Sequence, residues 1–451
     1  MNDTIAAIST SLGKGAISII RVSGPKAINI VNKIFIGNNL NKCSSHTINY
    51  GYIKDKEEKI DEVLVSLMKA PKTFTMEDVV EINCHGGTQT TKKIFEILLL
   101  NGIRIAEPGE FTKRAFLNGR IDLVEAESVM EIINAETENA RKLSINNLTV
   151  NLSNEIKIIR EDLLNLLANI EVNIDYPEYE DIEVINIQKI KVEIQKIKIK
   201  IEKLVNTSEN SKIIKEGIKT LIIGKPNVGK SSLLNSLLEE EKAIVTDIAG
   251  TTRDIVEGKI TIEGIILDLI DTAGIRSTED VIEKIGVNKS LGYIDDADLI
   301  LAVFDVSNEL STEDYKIIDK IKNKNVIAIL NKIDLKKDYF KIKVPFKRIV
   351  YTNTKDYKTI ENLKREIINM YNLNKINASN LTYLSNVRQI TLGKEALELT
   401  LSVLEGINNN IPIDIIAIDI KLIWEKLGEI IGKNYADDLL DKLFSNFCLG
   451  K

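Results

Sequence analysis

The chain has three cysteines in 451 residues, Cys43, Cys84 and Cys448. The number is odd and the spacing wide, so no disulfide framework is expected and the thiols read as reduced ones of a cytoplasmic protein. Histidine is scarcer, with His46 and His85 alone. Their spacing to the cysteines fits no zinc pattern. Cys84 and His85 adjoin in a predicted strand, where neighbours point to opposite faces, so they form no dyad. No run approaches about 18 apolar residues, which excludes a transmembrane helix. The start has no basic stretch followed by a long apolar run, so no secretory signal is expected. Excess positive charge is also lacking. The net charge of −6 argues against non-specific coating of nucleic acid, while leaving room for a local basic patch. What remains is a chain expected in the cytoplasm, away from membranes, and long enough for about three domains.

One stretch organises the rest. Gly224-Lys225-Pro226-Asn227-Val228-Gly229-Lys230-Ser231 fits G-x-x-x-x-G-K-[ST]. The apolar run Thr220-Leu221-Ile222-Ile223 precedes it, and Leu233, Leu234, Leu237 and Leu238 follow at helical spacing. Strand, glycine loop and helix are the context this motif requires. Backbone amides at the helix start cradle phosphates, Lys230 reaches the β- and γ-phosphates, and the Ser231 hydroxyl suits Mg²⁺.

Downstream partners follow in order. Asp271-Thr272-Ala273-Gly274 ends a second apolar run, placing Asp271 where Mg²⁺ is held and the Gly274 amide near the γ-phosphate. Asn331-Lys332-Ile333-Asp334 ends a third run, Val326 to Leu330. A carboxylate at Asp334 accepts from both N1–H and the 2-amino group of guanine, a pair that adenine lacks. Gly250-Thr251-Thr252-Arg253-Asp254 lies between, where a switch loop supplies a second hydroxyl to Mg²⁺. Together these imply a GTP-hydrolysing α/β domain. Ile275 stands where many such enzymes place a water-orienting glutamine, so another group must orient water. Glu279, Asp280 and Glu283 compete for that role. The Asn227 carboxamide is a candidate ligand for a monovalent cation that neutralises charge in the transition state.

The flanks have different patterns. Residues 1–118 alternate short apolar strands, at Thr4–Ile8, Ala16–Val22, Glu62–Leu67 and Val79–Cys84, with helices over Pro25–Phe35 and Thr88–Leu100. This is an α+β domain. Arg21 and Glu81 lie within its strands and read as exposed-face charge or a mutual ion pair. From 119 to 215 the spacing becomes helical, through Leu152, Ile156, Ile159, Leu163, Leu166 and Ile170, then Ile187, Ile190, Ile194, Ile197, Ile201 and Leu204. Lys196–Ile201 alternates like a strand, but the longer pattern around it predicts helix. Residues 216–375 form the nucleotide domain, and helical spacing resumes over 376–451. The fold expected is an α+β N-terminal domain, a discontinuous α-helical domain, and an inserted Ras-like α/β P-loop domain. Cys448 is four from the end as in a prenylation site, but the terminal Lys451 does not fit that signal. It reads as a thiol packed beside Phe447 or as one near a small-molecule site.

Several stretches together resemble the MnmE (TrmE) family of tRNA-modifying GTPases. They are Asp3 to Ile8, Ile20 to Gly24, Cys84-His85-Gly86-Gly87, Pro108 to Thr112, Phe116 to Leu123, Gly224 to Asn235, Asp247 to Asp254 and the end Phe447-Cys448-Leu449-Gly450-Lys451. The resemblance covers essentially the whole chain. It implies GTP contacts at Asn227, Val228, Gly229, Lys230, Ser231, Ser232, Thr246, Asp247, Ile248, Ala249, Gly250, Thr251, Thr252, Asp271, Thr272, Ala273, Gly274, Asn331, Lys332 and Asp334. It implies Mg²⁺ on Ser231 and Thr252, and K⁺ on Asn227, Thr246, Ile248 and Thr251. Glu283 matches the family's water-orienting glutamate, acting with Lys230 and Thr252. A tetrahydrofolate derivative, 5-formyl or 5,10-methylene, is implied at Arg21, Glu81, Arg120 and Lys451, with Cys448 nearby. The resemblance also implies a homodimer, an FAD-carrying MnmG-like partner, and addition of a carboxymethylaminomethyl group to C5 of the wobble uridine of certain tRNAs. Two positions depart from the pattern. Arg120 replaces a usual lysine, keeping charge but not geometry. Thr352-Asn353-Thr354 stands where a Ser-Ala-Lys loop is usual. The rival reading is an Era- or Der-like ribosome-assembly GTPase, against which stand the N-terminal domain, the Phe-Cys-Leu-Gly-Lys end and the lack of a recognisable KH domain.

Overall fold

The computed structural model describes residues 3–149, 151–175, 187–242, 258–270, 291–335, 343–371, 382–433 and 437–450. It divides into two compact units. One comprises residues 1–134, 147–202 and 387–451, the other 135–146 and 203–386.

The chain opens with a seven-stranded sheet. Its strands are β1 (Ile5–Ile8), β2 (Ile17–Ser23), β3 (Phe35–Ile36), β4 (Thr47–Asp55), β5 (Glu58–Met68), β6 (Val79–His85) and β7 (Arg104–Ile105). Their order is β3-β4-β5-β6-β2-β1-β7, antiparallel except for β1 and β7. Alternation decides the faces. Val63, Val65 and Leu67 of β5 turn inward with Ile20, Val22 and Ile82, under helices α1 (Ala27–Ile34) and α2 (Thr88–Leu100). The other face exposes Ile17, Ile48, Tyr50 and Leu64. Cys84 is buried and His85 exposed, as expected, and the His85 ring bonds Asp61 at 2.7 Å.

Several elements here depart from the sequence pattern, β4 and α3 chief among them. Strand β4 was not expected, because Asn49, Gly51 and Lys54 dilute its apolar character. Pairing with β5 along its whole length creates it. A short helix α3 (Glu110–Leu117) also appears. Its buried face carries Arg114 as well as Phe111, so its charge hides its periodicity.

Helices follow. α4 (Leu123–Ile133) starts with a capping box between Asp122 and Glu125. α5 (Glu138–Leu148), α6 (Asn151–Asp175) and α7 (Ile187–Glu216) come next. The apolar residues spaced by three and four are buried, including Ile156, Leu163, Ile194 and Ile201. Ile199 is 65% exposed while Ile197 and Ile201 are buried, so the Lys196–Ile201 stretch is helical.

The second sheet contains β8 (Ile218–Ile223), β9 (Lys259–Ile262), β10 (Ile265–Ile270), β11 (Leu299–Asp305), β12 (Val326–Asn331) and β13 (Ile349–Thr352). Its order is β13-β12-β11-β8-β10-β9, with only the β9–β10 pair antiparallel. Helices α8 (Lys230–Lys242) and α10 (Tyr357–Met370) cover one face, and α9 (Thr312–Ile321) the other. Strands covered on both faces read as continuous apolar runs, which is why β8 and β12 were legible. The chain returns to the first unit with α11 (Val387–Asn408), α12 (Ile413–Ile430) and α13 (Asp437–Phe444).

Candidate functional site

In a doubly wound sheet, ligands bind beyond the carboxyl ends of the strands. The glycine loop leaves β8 at that end and enters α8 at Lys230. Asn227 takes φ 63° and Gly229 φ 101°. The left-handed turn at Asn227 suits a short polar side chain, and Gly229 needs to be glycine because a Cβ would strike Asn331 Nδ2. Lys230 Nζ donates to the carbonyls of Gly224 and Lys225, at 3.0 and 2.9 Å. The lysine thus folds back across its own loop. Ser231 and Ser232 are exposed in the first turn of α8, where backbone amides lack helical partners and attract anions.

The end of β12 braces this loop. Asn331 is buried and donates to Val228 O at 2.9 Å. Lys332, at φ 66°, donates to Asn227 O at 2.6 Å and pairs with Asp305 at 2.7 Å. Burial works to raise the Asp305 pKa, but hydrogen bonds from Lys332 and Ser307 outweigh it and keep it below the ordinary range. Asp334 is exposed in the short turn Ile333–Leu335. Thr352 ends β13 opposite Asn331 and donates to its Oδ1 at 3.1 Å. Ser236 of α8 donates to Thr354 O at 2.9 Å. Glycine loop, Asn331-Lys332 turn and Thr352–Thr354 loop are therefore one hydrogen-bonded assembly.

Two members of that assembly had been given no role. Lys225 reaches Asp314 Oδ2 at 2.7 Å and Ser311 Oγ at 3.2 Å, tying the loop to the cap of α9. Asp305 clamps Lys332 from the end of β11. An aspartate closing the apolar run Leu299–Phe304 was the available signal. Thr246, Asp247, Ile248, Ala249, Gly250, Thr251, Thr252, Asp271, Thr272, Ala273, Gly274, Glu283 and Lys451 lie outside the described residues.

A second cluster gathers in the first unit. Arg21 and Glu81 face each other across β2 and β6, with Arg21 Nε 2.8 Å from Glu81 Oε1. The ion-pair reading is what the backbone register produces. The chain's end comes to the same place. Arg21 Nη1 and Ser9 Oγ both donate to Gly450 O at 3.3 Å. Gly109 N donates to Cys448 O at 3.2 Å, while Cys448 is exposed. Phe74, given no role from sequence, joins the set: Arg21 and Arg120 stand 5.8 and 4.7 Å from its ring centroid. Arg21, Glu81, Arg120 and Cys448, more than 400 residues apart at the extremes, are brought together. Two guanidinium groups, one carboxylate and an aromatic face can recognise a planar, anionic small molecule.

The profile described as "MnmE helical domain" matches residues 123–448, and "GTP-binding protein TrmE N-terminus" matches residues 4–120. The "tRNA modification GTPase MnmE" of Bacillus licheniformis is 50% identical over 458 residues, covering all of both chains. That of Ligilactobacillus salivarius is 49% identical over 455 residues, covering all of this chain and 98% of its own. With a glycine loop braced by the Asn331-Lys332 turn, a charged cluster closed by the carboxyl-terminal segment, and full-length relatives at half identity, this chain belongs to the MnmE family of tRNA modification GTPases.

Proposed function

We propose that this chain is a GTP hydrolase acting in tRNA modification. One observation carries the nucleotide half: the glycine loop is held by Asn331 at the end of β12 and by Lys332 after it in a left-handed curl, with Lys230 turned across it. That curl is a concavity of amides suited to phosphates. Asp334 recognises guanine. The four-part division at 1–118, 119–215, 216–375 and 376–451 belongs to this reading, with the third part carrying GTP.

Bound Mg²⁺ would neutralise phosphate charge and orient oxygen atoms. Ser231 and Thr252 would hold it, beside Asp271. K⁺ would sit on Asn227, Thr246, Ile248 and Thr251, supplying the positive charge that an arginine finger brings elsewhere. Glu283 orients the water. In the N-terminal domain, Arg21, Glu81, Arg120 and Lys451 bind a reduced folate that supplies one carbon, close to Cys448. The exposed sheet residues Ile17, Ile48, Tyr50 and Leu64 support association into a homodimer. An FAD-bearing MnmG-like partner completes the addition of carboxymethylaminomethyl to the wobble uridine, in the cytoplasm. No helix among the described residues is long and apolar enough to cross a membrane.

Base choice tests the central assignment. Asp334→Asn exchanges an acceptor for a donor and suits the second carbonyl of xanthine. The variant is expected to lose GTP hydrolysis and to gain hydrolysis of xanthosine triphosphate. GTP hydrolysis unaltered by the substitution would show that Asp334 does not read the base.

A further inference from the structure

Arg160 lies in α6 against α12 and is only 9% exposed. Its neighbours along the helix are paired: Lys157 lies 3.6 Å from Asp122, and Asp162 accepts from Lys200 at 2.7 Å. Arg160 has no hydrogen bond and no ion pair among the described residues. Its guanidinium carbon instead stands 4.1 Å from the centroid of the Trp424 ring. Burial alone pulls its pKa below the ordinary arginine value, and no carboxylate opposes the shift.

The slot around this cation is shaped for it. Gly428 lies one turn beyond Trp424 on α12. A Cβ at Gly428 would stand 2.5 Å from Arg160 Nη1 and 2.8 Å from Cζ. Glycine is therefore what leaves room for the guanidinium beside the indole. The Arg160 nitrogens are not among the buried side-chain atoms that lack a hydrogen bond and are sealed from solvent, such as Ser153 Oγ. The donors keep an opening outward. A buried cation without a partner costs stability unless an anion completes it. A planar fork with its face covered and its edge open presents paired N–H groups to an oxyanion.

We propose that Arg160, held between Trp424 and Gly428, binds a phosphate of the RNA backbone. The inference rests on the tRNA reading above and names a contact surface for that substrate. A chain of net charge −6 cannot hold a polyanion by a general field, so it needs a few preset cations. Lys157, one turn before Arg160 and half exposed, supplies a second.

Trp424 is the single tryptophan, so its emission reports this slot in the full-length protein. Transfer RNA is expected to change that emission in the native chain. Arg160→Gln should bind tRNA about tenfold more weakly, and its salt dependence should flatten by about 0.9 in log–log slope. GTP hydrolysis without tRNA should be unchanged. Arg160→Lys keeps the charge but not the fork and should fall between; it also carries the test if the glutamine variant does not fold. Arg160→Met should melt no lower than the native chain, since it removes an unpaired buried charge. A clearly lower midpoint for Arg160→Met, with tRNA affinity kept, would reveal a packing role and overturn the site. Native-like affinity and slope in Arg160→Gln would overturn it too, leaving the tRNA reading intact. Emission that responds to inorganic phosphate but not to tRNA would overturn the RNA assignment. Failure of the native chain to bind tRNA would remove both readings together.

Discussion

Asn227 carries two demands at one position. Its backbone is left-handed at φ 63°, and its carbonyl accepts from Lys332. Its side chain is the proposed K⁺ ligand. Replacing it with alanine removes the carboxamide and keeps a Cβ at positive φ without the short polar side chain that tolerates it, at a cost of about 1 kcal/mol. Asn227→Gly removes the carboxamide without that strain. Both variants are expected to lose stimulation of GTP hydrolysis by potassium over sodium, while GTP affinity stays nearly native. If the glycine variant keeps its potassium response, the carboxamide is not the ligand. At this scale the sequence was most informative where a motif dictates chemistry. Lys230, Asn331 and Lys332 were nameable from spacing. Phe74 was not, since nothing in its neighbourhood shows that two arginines distant in the chain converge on its ring.

Elements bring such residues together, and two of them make predictions. Helix α3 carries a buried charge network. Arg114, 1% exposed, donates to Glu110, Glu77 and Asp3. Burial acts to raise the Glu110 pKa, but bonds from Arg104, the Glu107 amide and Arg114 outweigh it and hold it below its ordinary 4.5. A depressed carboxylate stabilises the fold above its unfolded value and loses that contribution as pH falls through the folded one. Glu110→Gln is therefore expected to cost about 3 kcal/mol at neutral pH. The gap in melting temperature from the native chain should close in acid, below the ordinary carboxylate range. A gap independent of pH would contradict the network's role. The second element is the carboxyl-terminal segment. Gly109 has φ 68°, and a Cβ there would stand 2.6 Å from Phe444 O and 2.7 Å from Phe447 Cβ. Gly109→Ala should lift this segment from the N-terminal domain and weaken reduced-folate binding at least severalfold by calorimetry, with GTP hydrolysis retained. Native folate affinity would show that the segment's docking is not needed. Long helices were legible because their apolar residues step by three and four. β4 and α3 were not: partner strands and a buried salt-bridge network decide them, and neither leaves a periodic apolar trace.

For the whole molecule, the two candidate sites belong to different compact units. The sequence suggested why, since helical spacing breaks off before the glycine loop and resumes at Val387. It could not show that residues 135–146 and 203–216 join the nucleotide-type unit. That grouping comes from packing, as with buried Leu143 of α5 in the same apolar core as Leu233 and Ile260. This chain spends GTP to modify tRNA. Mass spectrometry of tRNA nucleosides from cells lacking the chain tests it most directly. Loss of the modified wobble uridine is expected, restored by the native chain and not by Asp271→Ala. A nucleoside profile unchanged by the chain's absence would contradict it.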